Sequence, residues 1–187
     1  MKEDNSTTYS DINSELDSNF QLSPKIKDNN IELSISLLLT EIIEKNKKNP
    51  YYKKYIKRQN KLFLSKKVPK ITILEYLYRI TKYMDIEKST LISSLIYLDR
   101  LINEKVFFLT YFNIHKILII CIVLSIKYNE DDIFGNDYYS EISGIPLKEF
   151  NKLEFEVFKY LKFNFYIKSE EFKIYEEYLD NYCYKNI

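Results

Sequence analysis

The sequence predicts an all-α protein, a bundle of about five helices flanked by one further helix at each end. Apolar residues recur at spacings of three and four through most of the chain after residue 30, which is the period of an amphipathic helix. No segment shows the apolar and polar alternation of a strand, and residues that start or stop helices recur at short intervals. With 187 residues, 45% of them hydrophobic, the chain can form one domain with a substantial core.

Residues 1–30 differ from the rest of the chain in composition. They contain few apolar groups and many Ser, Asn and Asp residues, so folding would bury too little surface to offset the entropy of ordering. The segment is polar and acidic and lacks the hydrophobic region of a signal peptide. We therefore expect a disordered tail here.

Residues 31–67 are expected to hold an N-terminal helix followed by a lysine-rich linker. A helical pattern starts at Ile31 and continues through Leu33 and Leu37. It ends before Pro50, because proline disfavours the helical conformation of the residue that precedes it.

The lysine-rich segment, residues 45–70, carries eleven Lys or Arg residues and no acid. Tyr51, Tyr52 and Tyr55 are interleaved with these cations. Lysines can neutralise phosphates while aromatic rings stack on bases, so the pattern is compatible with nucleic-acid binding. It is more typical of the solvated face of a lysine-rich protein, and it is also compatible with binding of phosphate or an acidic protein segment. The sequence leaves these alternatives open.

Residues 68–187 are expected to form a single domain that contains the five-helix bundle and the C-terminal helix. Pro69 can open the first helix, over residues 71–83, because proline fits the first helical turn. Ser89 or Thr90 can cap the second helix through a side-chain oxygen.

The third predicted helix is the centre of the bundle. Asn113 can cap it, and residues 115–127 are apolar nearly all round, which outside a membrane is typical of a helix surrounded by others. The remaining helices have start or stop signals at Asn136, Gly144, Pro146 and Ser169.

Three ionisable residues stand on or beside stripes predicted to be buried: Asp99, Lys127 and Glu154. An ion taken out of water without a partner costs on the order of several kcal/mol, so each residue needs a partner. For Asp99 we expect an internal ion pair with Lys70 or a neighbouring base. Lys127 ends its helix, where the dipole favours a cation. Glu154 lies in mid-helix, and its spacing does not distinguish an internal pair from an interface with another molecule.

Nothing in the sequence supports catalysis. The two glycines are too few for a glycine-rich phosphate loop, and His115, the single histidine, has no accompanying nucleophile motif. We expect His115 to be a packing or capping residue. The prediction is a protein without catalytic residues, metal sites or cofactors.

The compartment can be inferred from what the chain lacks. Two cysteines with neither disulfide-framework nor metal-ligand spacing favour a reducing environment. The longest apolar run, residues 117–124, is far shorter than the roughly 20 residues of a membrane span. The expectation is an intracellular protein, in the nucleus, the cytoplasm or both.

Six short motifs occur in a characteristic order: YxDR, NxH, KYxxD, NxxY, GI and NxLE. They lie in the runs STLISSLIYLDRL, NIHKILIICIVLSIKYNEDDIFGNDYYSEISGI and LKEFNKLEFEVFKYLKFNFYI. In order and spacing this resembles the cyclin box, and is most similar to the boxes of P-type, phosphate-response cyclins, also called U-type. The resemblance covers about residues 68–178.

The resemblance implies a single five-helix cyclin box that binds and activates a cyclin-dependent kinase, without a small-molecule substrate. In related cyclins a lysine at the end of the third helix and a glutamate in the fifth contact the regulatory αC helix of the kinase. Those positions correspond to Lys127 and Glu154. Neighbouring apolar contacts of the family correspond to Tyr128, Phe158, Phe163 and Phe165.

The family also pairs the aspartate of YxDR with an arginine before the first helix. Lys70 occupies that place here, so the resemblance implies an ion pair between Asp99 and Lys70. The chain has PKITILEY where cell-cycle cyclins carry MRxxLxxW, which places substrate docking by that groove in doubt.

Two alternative functions remain at this stage. One is a cyclin-fold transcription or nucleic-acid adaptor that uses residues 45–70, against which the single box and the net charge of +1 argue. The other is a scaffold that binds a kinase without activating it.

Overall fold

A computed structural model of the chain describes residues 30–186, with side chains to residue 182. The predicted tail lies outside the described residues except for Asn30. Within that range the chain is all-helical, as predicted, and has eight α-helices and one short 3₁₀ helix, Lys61–Phe63. The α-helices are α1 (Ile31–Lys47), α2 (Tyr52–Arg58), α3 (Ile73–Met84), α4 (Lys88–Asn103), α5 (Ile114–Asn129), α6 (Asn136–Ser143), α7 (Leu147–Tyr160) and α8 (Ser169–Asn186).

Helix α5 is the centre of the bundle. All its residues from Ile114 to Ile126 except Lys116 are buried. It packs against α3, α4 and α7, while α6 packs against α3 and α7. The prediction of a central helix surrounded by its neighbours is confirmed.

The two outer helices close the bundle on one side. Helix α1 packs against α3, α4 and α8, and α8 also packs along α4. Arg100 fixes the start of α8, because its guanidinium bonds Glu171 at 2.9 Å and the Tyr166 carbonyl at 3.0 Å. Among the described residues, no helix combines the length and the apolarity required to cross a bilayer.

The start of α3 differs from the prediction. Thr72, not Pro69, is the N-cap, and its hydroxyl accepts a hydrogen bond from the Glu75 amide at 3.2 Å. The Glu75 carboxylate accepts in return from the Thr72 amide at 2.8 Å. This reciprocal capping box satisfies two free backbone donors, which proline cannot do.

The predicted side-chain caps of α4 and α5 are also wrong. Helix α4 begins at Lys88 after Glu87, so Ser89 and Thr90 both lie inside it. Asn113 holds the N-cap position of α5 without a side-chain cap, because its amide oxygen accepts from the Thr110 backbone at 2.8 Å instead. Tertiary and loop contacts therefore override local capping preference at these positions.

The predicted ion pair between Asp99 and Lys70 is not formed. Asp99 instead accepts hydrogen bonds from the Tyr175 hydroxyl at 2.6 Å and the Asn103 amide at 2.8 Å. Lys70 is exposed, and no ion pair joins it to Asp99 although both lie in the described range. The physical reason is the packing of α8 along α4, which brings Tyr175 to the carboxylate.

His115 is a packing residue, as expected. Its ring lies edge-on to Tyr76 at 5.0 Å, and its Nε2 is 3.1 Å from the Ile71 carbonyl oxygen. Burial lowers the pKa of His115, because the charged imidazolium loses its hydration.

Residues 45–70, predicted to be a lysine-rich linker, contain regular secondary structure. They contain α2 and the 3₁₀ helix, and Phe63 at the end of the latter is fully buried. The hydrophobic pattern alone did not indicate α2, because this helix has no buried residue.

Candidate functional site

A groove opens between the last turn of α5, helix α7 and the segment after α7; we call it the α5–α7 groove. Its volume is about 590 Å³. The structure brings together in it all six side chains that the sequence analysis proposed for kinase binding. The lining residues are Leu124, Lys127, Tyr128, Asn151, Glu154, Phe155, Phe158, Phe163 and Phe165.

An ion pair lies in this groove. Lys127 Nζ is 2.6 Å from Glu154 Oε1, and the two side chains are only 29% and 16% exposed. Glu154 therefore has an internal partner and lines an open groove at the same time. The two alternatives left by its spacing, internal pair and interface, are compatible in the structure.

Asn136 bridges the two ions. Its Oδ1 accepts a hydrogen bond from Lys127 Nζ at 2.6 Å, and its Nδ2 donates to Glu154 Oε2 at 2.7 Å. Nδ2 also lies 2.8 Å from the Oδ1 acceptor of Asn151. A carboxamide suits this place because it carries both a donor and an acceptor.

Three helices position this charged network. Lys127 is in the last turn of α5, Asn136 is the first residue of α6, and Glu154 is in the middle of α7. The ammonium also lies 6.0 Å from the ring centroid of Tyr139, within range of a cation–π interaction. The packing of the bundle, and not any one segment, therefore creates the site.

Aromatic side chains form the other wall of the groove. The ring of Phe158 lies 4.8 Å from that of Phe163 and 4.9 Å from that of Phe165. Phe165 is buried, whereas Phe163 is 63% and Tyr128 53% exposed. Contiguous exposed rings beside a paired charge are typical of a surface that binds another protein.

The backbone at the end of α7 is strained. Lys162 and Phe163 are consecutive non-glycine residues in the left-handed region, with φ of 54° and 58°. Such a conformation costs on the order of 1 kcal/mol or more for each residue, and it is concentrated at functional sites. The turn places the Phe163 ring against Phe158 in the groove lining.

The sequence analysis missed three parts of the site. Phe155 lines the groove and is 61% exposed, Asn136 bridges the two ions, and Asn151 bonds Asn136. A signal for Phe155 was available, because Asn151, Phe155 and Phe158 follow the i, i+4, i+7 spacing of one helix face. Asn136 and Asn151 are the first residues of the NxxY and NxLE motifs, but a motif does not show which side chain its amide meets.

A family model and several curated relatives match this chain. The family model for cyclins matches residues 5–165. "PHO85 cyclin-like protein psl1" of Schizosaccharomyces pombe is 37% identical over 127 residues, which cover 67% of this chain and 52% of that protein. "Cyclin-P3-1" of Oryza sativa subsp. japonica is 30% identical over 120 residues, covering 64% and 51% of the two chains.

A third relative, "Cyclin-U4-1" of Arabidopsis thaliana, is 34% identical over 112 residues, 59% of this chain and 55% of that protein. The chain thus spans about half the length of these curated relatives. The family match covers α3 to α7 in full, together with the segment that completes the groove. The chain therefore belongs to the cyclin family, and its α3–α7 bundle is a cyclin box of the P/U type.

Proposed function

We propose that this chain binds the regulatory αC helix of a cyclin-dependent kinase in the α5–α7 groove and thereby activates the kinase. One observation carries the proposal: Lys127 and Glu154 are paired within an exposed aromatic groove. These are the residues to which the family resemblance assigns kinase contact. The named relatives include a PHO85 cyclin-like protein, which is in keeping with a kinase partner.

The charged network has capacity left for a partner. The Lys127 ammonium has three donors, of which Glu154 and Asn136 take two. The Glu154 carboxylate accepts from Lys127 and Asn136 and retains further lone pairs. A docked helix can therefore add hydrogen bonds to both ions without breaking the pair, so little further desolvation is required.

The aromatic wall supplies the apolar part of the contact. Tyr128, Phe155 and Phe163 are each more than half exposed, and a helix laid in the groove would cover them. Large aromatic side chains around a desolvated charge pair form the type of centre that dominates binding energy in protein interfaces.

Activation follows from preferential binding. A protein kinase is active when its β3 lysine pairs with its αC glutamate. A protein that binds αC in the active position shifts that equilibrium by the difference in its affinity for the two states. Members of the cyclin family are regulatory subunits, so all bond-making and bond-breaking would take place on the kinase.

The test is reconstitution of the full chain with each member of a panel of purified cyclin-dependent kinases. We compare the wild type with Glu154→Lys and with Glu156→Lys, which makes the same charge change outside the groove, where Glu156 pairs with Lys159. We expect the wild type and Glu156→Lys to bind and activate one kinase, and Glu154→Lys to do neither. Circular dichroism establishes that each variant is folded.

Two results would contradict the proposal. Binding that is unchanged in folded Glu154→Lys would show that the groove is not the kinase site. Binding by the wild type without any rise in phosphate transfer to a peptide substrate would identify a non-activating scaffold.

A further inference from the structure

Helix α2 carries four cations on its outward side: Lys53, Lys54, Lys57 and Arg58, which we call the α2 basic face. All four are exposed. In the described part of the chain, none of them lies within 4 Å of a carboxylate, whereas Lys45 and Lys47 of α1 each have a glutamate partner. The α2 basic face is therefore a concentrated positive charge that no carboxylate of residues 30–182 neutralises.

The arrangement of these charges is unfavourable for the helix itself. Lys53 and Lys54 lie in the first turn, where the helix dipole disfavours cations, and that turn contains no acid. Lys57 and Arg58 follow at i+4 from them, so two pairs of like charges are adjacent on one face. The helix has neither a side-chain N-cap nor a buried residue. The dipole favours Lys57 and Arg58, which lie in the last turn, but α2 contains no acid to offset the repulsion among the four cations.

Contacts on the inward side hold α2 in place. The ring of Tyr55 stacks on Phe108 at 4.7 Å, and the ring of Tyr52 lies edge-on to Phe108 at 6.0 Å. Gln59, directly after the helix, accepts a hydrogen bond from the Asn113 amide at 2.8 Å. A freely solvated lysine-rich linker would need no such attachment, so the fold presents these cations in a fixed arrangement.

We propose that the α2 basic face binds a short acidic segment, rich in Asp and Glu, of a partner protein. Seven helical residues rise only about 10 Å, which matches a short run of carboxylates. Affinity for nucleic acid grows with the number of phosphates that are neutralised, and this face is too small to neutralise many.

The tyrosines near α2 also favour a protein partner over single-stranded nucleic acid. Tyr55 has one ring face covered by Phe108, and the ammonium of Lys54 lies over the ring of Tyr51 at 5.8 Å. Bases stack on open aromatic faces, and few are available here.

The α2 basic face is remote from the α5–α7 groove. Gln59 contacts Asn113 at the start of α5, whereas Lys127 is in its last turn. These two ends of α5 are about 20 Å apart along the helix axis. An acidic segment can therefore occupy α2 while the groove is filled, and this inference does not depend on the proposed kinase site.

The experiment is fluorescence anisotropy with the full chain and three labelled probes. They are a 12-residue peptide with six Asp or Glu residues, the same peptide with Asn and Gln instead, and a 12-nucleotide single-stranded DNA. The test variant combines Lys53→Gln, Lys54→Gln, Lys57→Gln and Arg58→Gln. The matched control removes four exposed lysines elsewhere, through Lys82→Gln, Lys148→Gln, Lys152→Gln and Lys168→Gln.

We expect the acidic peptide to bind the wild type and the control variant within twofold of each other, with an affinity that falls as salt rises. The α2 variant should bind it at least tenfold more weakly and keep its helical circular dichroism. The proposal would be overturned if both variants lost affinity for the acidic peptide equally, or if the neutral peptide bound. Failure of the acidic peptide to bind the wild type would also overturn it. Tighter binding of the DNA than of the peptide would assign the face to nucleic acid instead.

Discussion

Lys127 and Glu154 neutralise each other in the free chain, with 2.6 Å between Nζ and Oε1 at the base of an aromatic groove. The residues that the family resemblance assigns to a kinase are thus already partners of one another. Their substitution affects both the fold and the interface, and the experiments below are designed to separate the two effects.

Exchange of the two charges distinguishes stability from binding. A single reversal at Lys127 or Glu154 places like charges together, and we expect it to lower the free energy of unfolding by about 1 to 3 kcal/mol. Lys127→Glu combined with Glu154→Lys restores an attractive pair, and urea denaturation should give a value within about 1 kcal/mol of the wild type. Kinase binding should remain about 2 to 5 kcal/mol weaker than for the wild type, because each of the two positions now presents the opposite charge to the kinase. Full recovery of binding would contradict this assignment.

Asn136→Ala should weaken the charged network. The alanine removes hydrogen bonds to both ions and leaves their polar atoms less satisfied, at a cost of about 1 to 3 kcal/mol in unfolding free energy. Asn151→Ala is the control, since Asn151 is exposed and bonds Asn136 but, in the described structure, makes no hydrogen bond to Lys127 or Glu154. Urea denaturation of the two variants measures the difference, and equal stability of Asn136→Ala and wild type would show that the bridge is unimportant.

Phe163→Ala should impair binding far more than folding. The ring is 63% exposed, so its loss should change the unfolding free energy by only about 0.5 kcal/mol. Truncation of an aromatic at an interface centre costs about 2 kcal/mol or more of binding. Tyr166→Ala, equally exposed at 65% but outside the groove lining, is the matched control. Calorimetric titration with the kinase should show a loss for Phe163→Ala alone.

His115, the single histidine, should make stability depend on pH. Its Nδ1 is buried without a hydrogen-bond partner in the described structure, and burial lowers its pKa below the usual value of 6.5. The unfolded chain then binds more protons below that pH, so stability falls as pH drops through 6.5 towards the folded pKa. We expect a loss of about 1 kcal/mol between pH 7.5 and 5.5.

His115→Gln supplies the control for this pH dependence. Glutamine can donate to the Ile71 carbonyl as Nε2 does, but it does not titrate. Thermal unfolding of the variant should therefore be nearly independent of pH over the same interval. An unchanged slope would assign the effect to other groups.

The sequence by itself determined the helices and the inner face of most of them. Periodicity identified α5 as the central helix, and the resemblance to the cyclin box assigned six of the nine residues that line the α5–α7 groove. The helices and their buried faces could be predicted because helix formation and burial depend on spacings of three and four residues along one segment.

Only the tertiary structure decided which polar groups meet. Asp99 bonds Tyr175 of α8 instead of Lys70, and Asn136 of α6 joins Lys127 to Glu154. These contacts connect residues far apart in sequence, and their distances depend on how whole helices pack against one another. A hydrogen bond forms only within a few tenths of an ångström of about 2.9 Å. Local periodicity does not fix positions that closely, whereas the assembled bundle does.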